Sequence, residues 1–306
     1  MKLRNIPRYL CNPKRAIESL RLKYNDRYAI EQQWMSRNGY PLNLDNPQSY
    51  CEKLNWIKLY DRNPQYTLMA DKYQVKKFVA EKIGSKYVIP TLAVYKSVDE
   101  IDLDKLPDQF VLKCNHDSGS TIVCTDKSKF DLEQAKEKLK KALSIQYFYF
   151  SQEWPYKNIP RRIIAEQYIE PELQYDESGN VIKDSEDLWT YKFICTNGIP
   201  RIMYITVKNG EVWENYYDME YKPLEISTVF RQSTIPTPKP ECWEELKQIA
   251  ARLTEGIPHV RCDLYVIRGQ IYFSEFTFFN WGGWMPFKPE KWNKIIGDWI
   301  ELPAKK

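Results

Sequence analysis

The chain is short of several features that would otherwise place it quickly. It has two histidines, His116 and His259, too few to build a zinc site on imidazole ligands. Its seven cysteines (Cys11, Cys51, Cys114, Cys124, Cys195, Cys242, Cys262) are odd in number and contain no C-x-x-C pair. That removes a zinc ribbon and a paired disulfide framework, and several of these thiols sit in strand-like apolar runs, as small buried groups do. No run approaches about 18 apolar residues, so no helical membrane span is expected. Met1-Lys2-Leu3-Arg4 leads into a polar helix without an apolar h-region, so no secretory signal is read and a cytoplasmic protein is expected. With 45 basic and 41 acidic residues the net charge is only +4. No Lys/Arg block forms a nucleic-acid stripe, and Lys136, Lys138, Lys140 and Lys141 read as the solvated side of a helix. There is no G-x-x-x-x-G-K-[ST] loop, no internal repeat and no low-complexity tract.

What remains is a folded, aromatic-rich chain of 306 residues with 43% hydrophobic and 14% aromatic content. This length buries a substantial core and suggests two lobes, or a main domain with an appendage. Residues 1–60 read as helical, with Ile17, Leu20, Leu22, Leu54, Trp56, Ile57 and Leu59 as apolar contacts. A helix from Asp71 to Ile83 places Val75, Phe78, Val79 and Ile83 on one face and stops at Gly84. Tyr87 to Tyr95 reads as a short strand pair or a bent strand, broken by Pro90. The strands Phe110 to Cys114 and Thr121 to Cys124 flank a polar loop, Asn115 to Ser120. An amphipathic helix from Asp131 to Ile145 and a strand from Arg162 to Glu166 follow. A polar stretch from Glu170 to Asp187, with a turn at Glu177-Ser178-Gly179-Asn180, marks a lobe boundary. Strands at Thr190 to Cys195 and Arg201 to Val207 join through Asn197-Gly198. The helix Glu241 to Leu253 carries the stripe Trp243, Leu246, Ile249, Ala250, Leu253.

The chemistry concentrates in Val260-Arg261-Cys262-Asp263-Leu264-Tyr265 and Phe273-Ser274-Glu275-Phe276-Thr277. Each strand-like run holds one carboxylate in apolar surroundings, which calls for a cationic partner such as a divalent metal. A three-residue turn, Arg268-Gly269-Gln270, gives a register that sets Asp263 opposite Glu275, roughly 5 Å apart at the start of their side chains. Two solvated acids at a strand end are the plain alternative. Lys113 ends an apolar strand just before the Ser118-Gly119-Ser120 loop, a way of holding polyphosphate on an ammonium and backbone amides. A snorkelling surface lysine is the alternative there, and a polar loop group is the alternative for His116. Glu166-Gln167-Tyr168-Ile169 leaves the first lobe where a hinge would meet a purine. Lys192, inside an apolar strand, needs an anionic partner if it faces inward. Two lysines, two carboxylates and Arg261 on the face of Asp263 make a phosphoryl-transfer site.

In order, these parts resemble the ATP-grasp superfamily, and more closely the TupA-like ATP-grasp family. The resemblance rests on Glu52-Lys53-Leu54-Asn55-Trp56 with Leu59-Tyr60-Asp61-Arg62-Asn63-Pro64, on Asp71-Lys72-Tyr73, and on Leu112-Lys113-Cys114-Asn115-His116. Glu153-Trp154-Pro155-Tyr156-Lys157-Asn158, Tyr191-Lys192-Phe193, Arg261-Cys262-Asp263-Leu264-Tyr265 and Glu275-Phe276-Thr277-Phe278 follow. It spans roughly residues 40 to 303. The pattern departs where the family places an Asn two residues after the late Glu; Thr277 stands there, and Asn280 is five residues on.

The resemblance implies an α+β fold in which two lobes clasp ATP: a helical extension at 1–60, an N-terminal lobe at 61–169 and a C-terminal lobe with the metal site at 170–306. It implies ATP and Mg2+ as cofactors. Lys113, His116, Ser118, Gly119, Ser120, Glu166, Ile169 and Lys192 would contact the nucleotide, Asp263 and Glu275 the metal, and Arg261 with Lys192 would act in catalysis. It also implies a ligase of surface (capsular) polysaccharide biosynthesis, joining a uronic-acid or amino-acid carboxylate to an amine or amino acid through an acyl phosphate. The acceptor would be a small molecule or a lipid- or nucleotide-linked sugar, and a lipid-linked one would bring the protein to the inner membrane face. A sugar phosphotransferase, a glycosyltransferase of the same pathway, and a non-catalytic glycan- or nucleotide-binding scaffold stay open as alternatives.

Overall fold

The structure is a computed structural model that describes residues 20–175, 181–183, 188–209, 211–234 and 236–305. Ile17, Cys11 and the turn expected at Glu177 to Asn180 lie outside the described residues.

Helical residues 20–24 open the described chain, and four helices follow: α1 (Asp26–Asn38), α2 (Tyr50–Tyr60), α3 (Pro64–Ala70) and α4 (Val75–Ile83). A capping box starts α2, with the Ser49 hydroxyl accepting from the Glu52 N–H and the Glu52 carboxylate accepting from the Ser49 N–H. The helix expected from Asp71 starts only at Val75. Asp71 turns its carboxylate onto the N–H groups of Tyr73 and Gln74, which makes a turn of that segment. Around Tyr87 a 3-10 turn (Ser85–Tyr87) replaces the expected strand, and Val88 forms an isolated parallel bridge to Phe273.

A four-stranded antiparallel sheet follows, built from β1 (Thr91–Tyr95), β2 (Phe110–Cys114), β3 (Ile122–Cys124) and β4 (Ile163–Gln167) in the order β1-β4-β2-β3. The helix α5 (Leu132–Ser144) packs on it, N-capped by Asp131. A short helix α6 (Phe148–Ser151) and a two-stranded ribbon of β5 (Gln174–Tyr175) and β6 (Val181–Lys183) lead onward. The second sheet is six-stranded: β7 (Thr190–Thr196), β8 (Ile199–Asn209), β9 (Glu211–Tyr217), β10 (Pro223–Leu224), β11 (His259–Ile267) and β12 (Gln270–Thr277). Its order is β10-β9-β8-β7-β11-β12. The strands β9 and β10 had no counterpart in the sequence reading. The helix α7 (Trp243–Thr254) buries its expected stripe against one face, with Trp243 stacked on Phe193, and α8 (Lys291–Asp298) closes the described chain.

Two cores result. The smaller gathers Tyr95, Phe110, Leu112, Leu139, Ile163 and Ala165. The larger holds the second sheet together with Trp34, Leu54, Val79, Phe148 and Trp154, so the first helices pack into it. At Gly297 of α8 a Cβ would lie 2.5 Å from the Gln48 carbonyl and 2.6 Å from the Tyr50 N, so only glycine permits this approach to α2.

Candidate functional site

The β11–β12 hairpin sets Asp263 opposite Glu275, as its spacing suggests, but by a different route. Ile267 pairs with Gln270, leaving a two-residue turn at Arg268 (φ 49°) and Gly269 (φ 76°) instead of three residues. Paired left-handed residues match the strand twist, which is why the shorter turn prevails. A regular ladder from this turn would put Asp263 opposite Ser274. A bulge intervenes: Leu264 pairs with Phe273 and Asp263 with Glu275, so Ser274 is skipped.

Pairing carries this row across the sheet. Asp263 is opposite Lys192, Lys192 opposite Tyr204, and Tyr204 opposite Tyr216. Alternation therefore puts Glu275, Asp263, Lys192, Tyr204 and Tyr216 on one face, with α7 on the other. A neighbouring row holds Tyr265, Thr190 and Thr206. Lys192 donates to the Thr206 hydroxyl at 2.8 Å. Burial pushes this ammonium below the usual lysine range, the Arg261 charge adds to that, and Asp263 opposes it.

Arg261 grips Asp263 with two parallel hydrogen bonds, Nε to Oδ1 and Nη2 to Oδ2, both 2.6 Å. It also reaches the Tyr204 hydroxyl at 3.1 Å, Asn280 Oδ1 at 3.4 Å and Glu275 Oε1 at 3.4 Å. Burial raises the Asp263 carboxyl above its ordinary range while Arg261 opposes it. For Glu275 burial also pushes upward, but Lys72, at 3.4 Å, and Arg261 win and hold it below the carboxylate norm.

The small sheet supplies the opposite wall. Lys113 on β2 and Lys76 on α4 each lie 2.6 Å from the buried Glu166 on β4. Burial would raise Glu166, yet these two ammonium groups hold it low. In the loop after β2, the Ser120 hydroxyl donates to Asp117 Oδ1 at 2.7 Å and accepts from the Cys114 N–H at 2.8 Å. Gly119 takes φ 99°, open only to glycine at low cost. Asn115 ties the loop's start to Asp71 at 2.9 Å and to the Arg162 N–H at 2.8 Å.

Two joined compartments lie between these walls. One of about 260 Å³ is polar, lined by Lys72, Lys113, Asp117, Ser118, Gly119, Ser120, Lys192, Asp263 and Glu275. The other, about 290 Å³, is lined by Ile89, Val111, Val123, Glu166, Ile169 and Leu188, and shares Lys113, Thr121, Thr190, Lys192 and Tyr265 with the first. Of the expected site residues, these linings bring together Lys113, Ser118, Gly119, Ser120, Glu166, Ile169, Lys192, Asp263 and Glu275. Arg261 sits behind them, bound to Asp263. His116 lines neither compartment; its ring is buried, and neither nitrogen has a hydrogen-bond partner among the described residues.

Sequence reasoning did not name Lys76, Thr190, Thr206, Tyr204 or Tyr265 as site residues. Lys72 stood in a quoted motif, and its ammonium donates to the Asp117 carbonyl at 2.6 Å. As to metal, no group of three or more His, Cys, Asp or Glu is clustered among the described residues. Two opposed carboxylates fit a hard cation such as Mg2+, which takes few protein ligands and completes its shell with phosphate oxygens and water. Asn280 Oδ1 accepts from Arg261, and Thr277 pairs with Arg261 across the ladder.

Two antiparallel sheets facing each other over a lysine- and carboxylate-lined cleft define the class of the molecule. The family model for TupA-like ATP-grasp proteins matches residues 52–301, and the chain belongs to that family. Its α+β fold is therefore ATP-grasp. Among solved structures it is similar to the D-alanine–D-alanine ligase of Bacillus anthracis complexed with ATP, at 12% identity and TM-score 0.40, over 84% of this chain and 63% of that one. An ATP-grasp RimK domain protein of Sphaerobacter thermophilus matches at 12% identity and TM-score 0.42, over 79% of this chain and 70% of that one. An L-amino acid ligase of Bacillus licheniformis matches at 12% identity and TM-score 0.43, over 86% of this chain and 57% of that one. The chain thus spans less than two thirds of the length of both ligases. No curated protein matches it.

Proposed function

We propose that the chain is an ATP-dependent carboxylate–amine ligase that serves surface-polysaccharide biosynthesis in the cytoplasm. One observation carries this reading. The paired acids Asp263 and Glu275 share a polar compartment with Lys113, Lys192 and the Ser118–Ser120 loop, and that compartment opens into a more apolar one beside Glu166 and Ile169. A polyphosphate fits the first and a purine with its ribose fits the second.

Lys113 and Lys192 hold phosphate oxygens, with backbone amides of the loop beside them. Asp263 and Glu275 would hold Mg2+, whose charge would offset that of the polyphosphate and draw electrons from the γ-phosphate. An acid substrate's carboxylate oxygen attacks the γ-phosphorus, the bond to the bridging oxygen breaks, and ADP leaves. An amine then attacks the acyl phosphate carbon, the C–O bond breaks, phosphate departs, and the amine loses a proton to give the amide. From behind Asp263, the Arg261 charge would offset the charge that develops on the acyl phosphate and on the tetrahedral state that follows. Among the described residues no helix is long and apolar enough to cross a membrane. A lipid-linked acceptor would be met at the inner membrane face.

The test is a screen of uronic acids and amino acids, each with amines, for ADP release. ADP, inorganic phosphate and an amide support the ligase. ADP with a phosphosugar makes the protein a phosphotransferase, and sugar-nucleotide cleavage makes it a glycosyltransferase. If Mg2+-dependent ATP binding survives Asp263→Asn combined with Glu275→Gln, a non-catalytic scaffold is the better description.

A further inference from the structure

Two motifs of the N-terminal half, Glu52 to Trp56 and Glu153 to Asn158, line neither compartment of the cleft. They meet instead at the turn after β12, Asn280–Gly283. Three destabilising features gather at that turn. Trp281, Gly282 and Gly283 take φ of 52°, 62° and 80°, three left-handed residues in a row, and a tryptophan gains nothing locally from that conformation. Lys58 of α2 is fully buried, and its hydrogen-bond partners are neutral oxygens, the Gly282 carbonyl and Asn55 Oδ1. Asn280 is fully buried too, and its Nδ2 has no hydrogen-bond partner among the described residues. Strain of this kind persists where the surroundings over-determine it, and it collects at functional positions.

The turn is held by two helices. Asn55 of α2 donates to the Gly283 carbonyl at 3.0 Å, beside the bond from Lys58 to Gly282. Ser151 of α6 donates to the buried Glu153 at 2.6 Å and closes on Gly282, where an added Cβ would sit 2.7 Å from the Ser151 Cβ. What this fixes is the first residue of the turn. Asn280 Oδ1 accepts from Arg261 Nη1 at 3.4 Å, and Arg261 in turn grips both oxygens of Asp263 at 2.6 Å. The same α2 also reaches the strand itself: the Tyr50 hydroxyl lies 2.9 Å from Nε2 of His259, two residues before Arg261 on β11. One helix therefore touches both elements that set the place of the guanidinium.

We propose that Lys58 and Asn55 are positioning residues for the Arg261–Asp263 pair, acting through Asn280, so that the N-terminal helices set how the Asp263 carboxylate faces the cleft. A carboxylate gripped at both oxygens keeps one plane, and partners that orient a metal-binding group govern its affinity. The lysine suits this task because one ammonium bonds the turn and Asn55 together. The proposal rests on the reading of Asp263 and Glu275 as metal-binding acids and adds to it residues from outside the cleft.

ATP affinity is measured by calorimetric titration, once with Mg2+ and once in EDTA. Lys58→Met and Asn280→Ala are each expected to weaken Mg2+-ATP binding about tenfold, and the double variant to match the weaker single rather than the product of the two. Affinity in EDTA is expected to stay within about twofold of native, since Lys113, Lys192 and the Ser118–Ser120 loop are untouched. Asn55→Ala gives the same pattern and takes the place of Lys58→Met if the lysine variant does not fold. The proposal is overturned if Lys58→Met and Asn55→Ala bind Mg2+-ATP as native does, or if the losses of Lys58→Met and Asn280→Ala multiply. It is equally overturned if affinity in EDTA falls as far as affinity with Mg2+, which is the mark of a general loosening of the fold. A native protein whose ATP affinity ignores Mg2+ would strike the metal reading itself and this proposal with it, so the two failures are told apart.

Discussion

Asp263 faces Glu275 through a bulge that skips Ser274, so the opposition of the two acids depends on hairpin length by a single residue. Deleting Ser274 leaves a regular ladder with the acids still opposed, whereas one alanine inserted between Ser274 and Glu275 turns Glu275 to the other face. Calorimetric titration is expected to find Mg2+-dependent ATP affinity within about tenfold of native for the deletion and lost for the insertion. Equal affinity in both would contradict the assigned metal pair.

Lys192 is a partly buried cation whose described partners are the Thr206 hydroxyl and, at 5.6 Å, the Tyr204 ring, and which makes no ion pair among the described residues. Such a group is kept for a ligand at the expense of stability. Lys192→Met is expected to raise stability by about 1 kcal/mol, read as a higher urea midpoint, and to weaken ATP binding by roughly tenfold or more. A lower midpoint with unchanged nucleotide affinity would make Lys192 structural.

His259 is buried between the Tyr50 hydroxyl and the Phe278 carbonyl, each at 2.9 Å, one ring nitrogen to each. Burial, with Arg261 nearby, pushes its pKa down from 6.5 to about 4. The unfolded chain therefore binds this proton first. His259 contributes full stability above pH 6.5, and this is lost as pH falls toward 4, amounting to about 3 kcal/mol. Urea unfolding across that window, with His259→Gln as the comparison, checks it: the variant is expected to show a flatter acid limb.

Gly297→Ala drives a methyl group into the Gln48–Tyr50 backbone, which cannot move without disturbing the start of α2. The expected cost is about 3 kcal/mol, measured as a fall in the denaturation midpoint. Substituting Gly39, where no atom lies within 4 Å of an added Cβ, tests backbone strain without the clash.

Much of the site was legible because charge in an apolar run is conspicuous. Lys113, Lys192, Asp263 and Glu275 each interrupt a strand-like stretch, and strand parity put the last two on one face before any coordinates. The route to that face was hidden: a bulge at a serine has no local signature, and it cancelled the shorter turn. Lys76 and Lys58 were invisible for the opposite reason, since a lysine on a helix looks solvated until its burial is seen. Tyr216 entered through β9, a strand without a clean alternating pattern in the sequence, while Tyr204, on the expected strand β8, looked like one more apolar core residue.

The packing of α1 and α2 bears on where a working unit begins. Trp34 rests against Trp284, Tyr50 against His259, and Lys58 against the Trp281–Gly283 turn. Trimming the chain back to residue 61 would thus strip the backing from the turn beside Arg261 and uncover the larger core, even though every phosphate-facing lysine lies later in the chain. Such a fragment is expected to lose the packing of its second sheet before it loses any residue of the cleft.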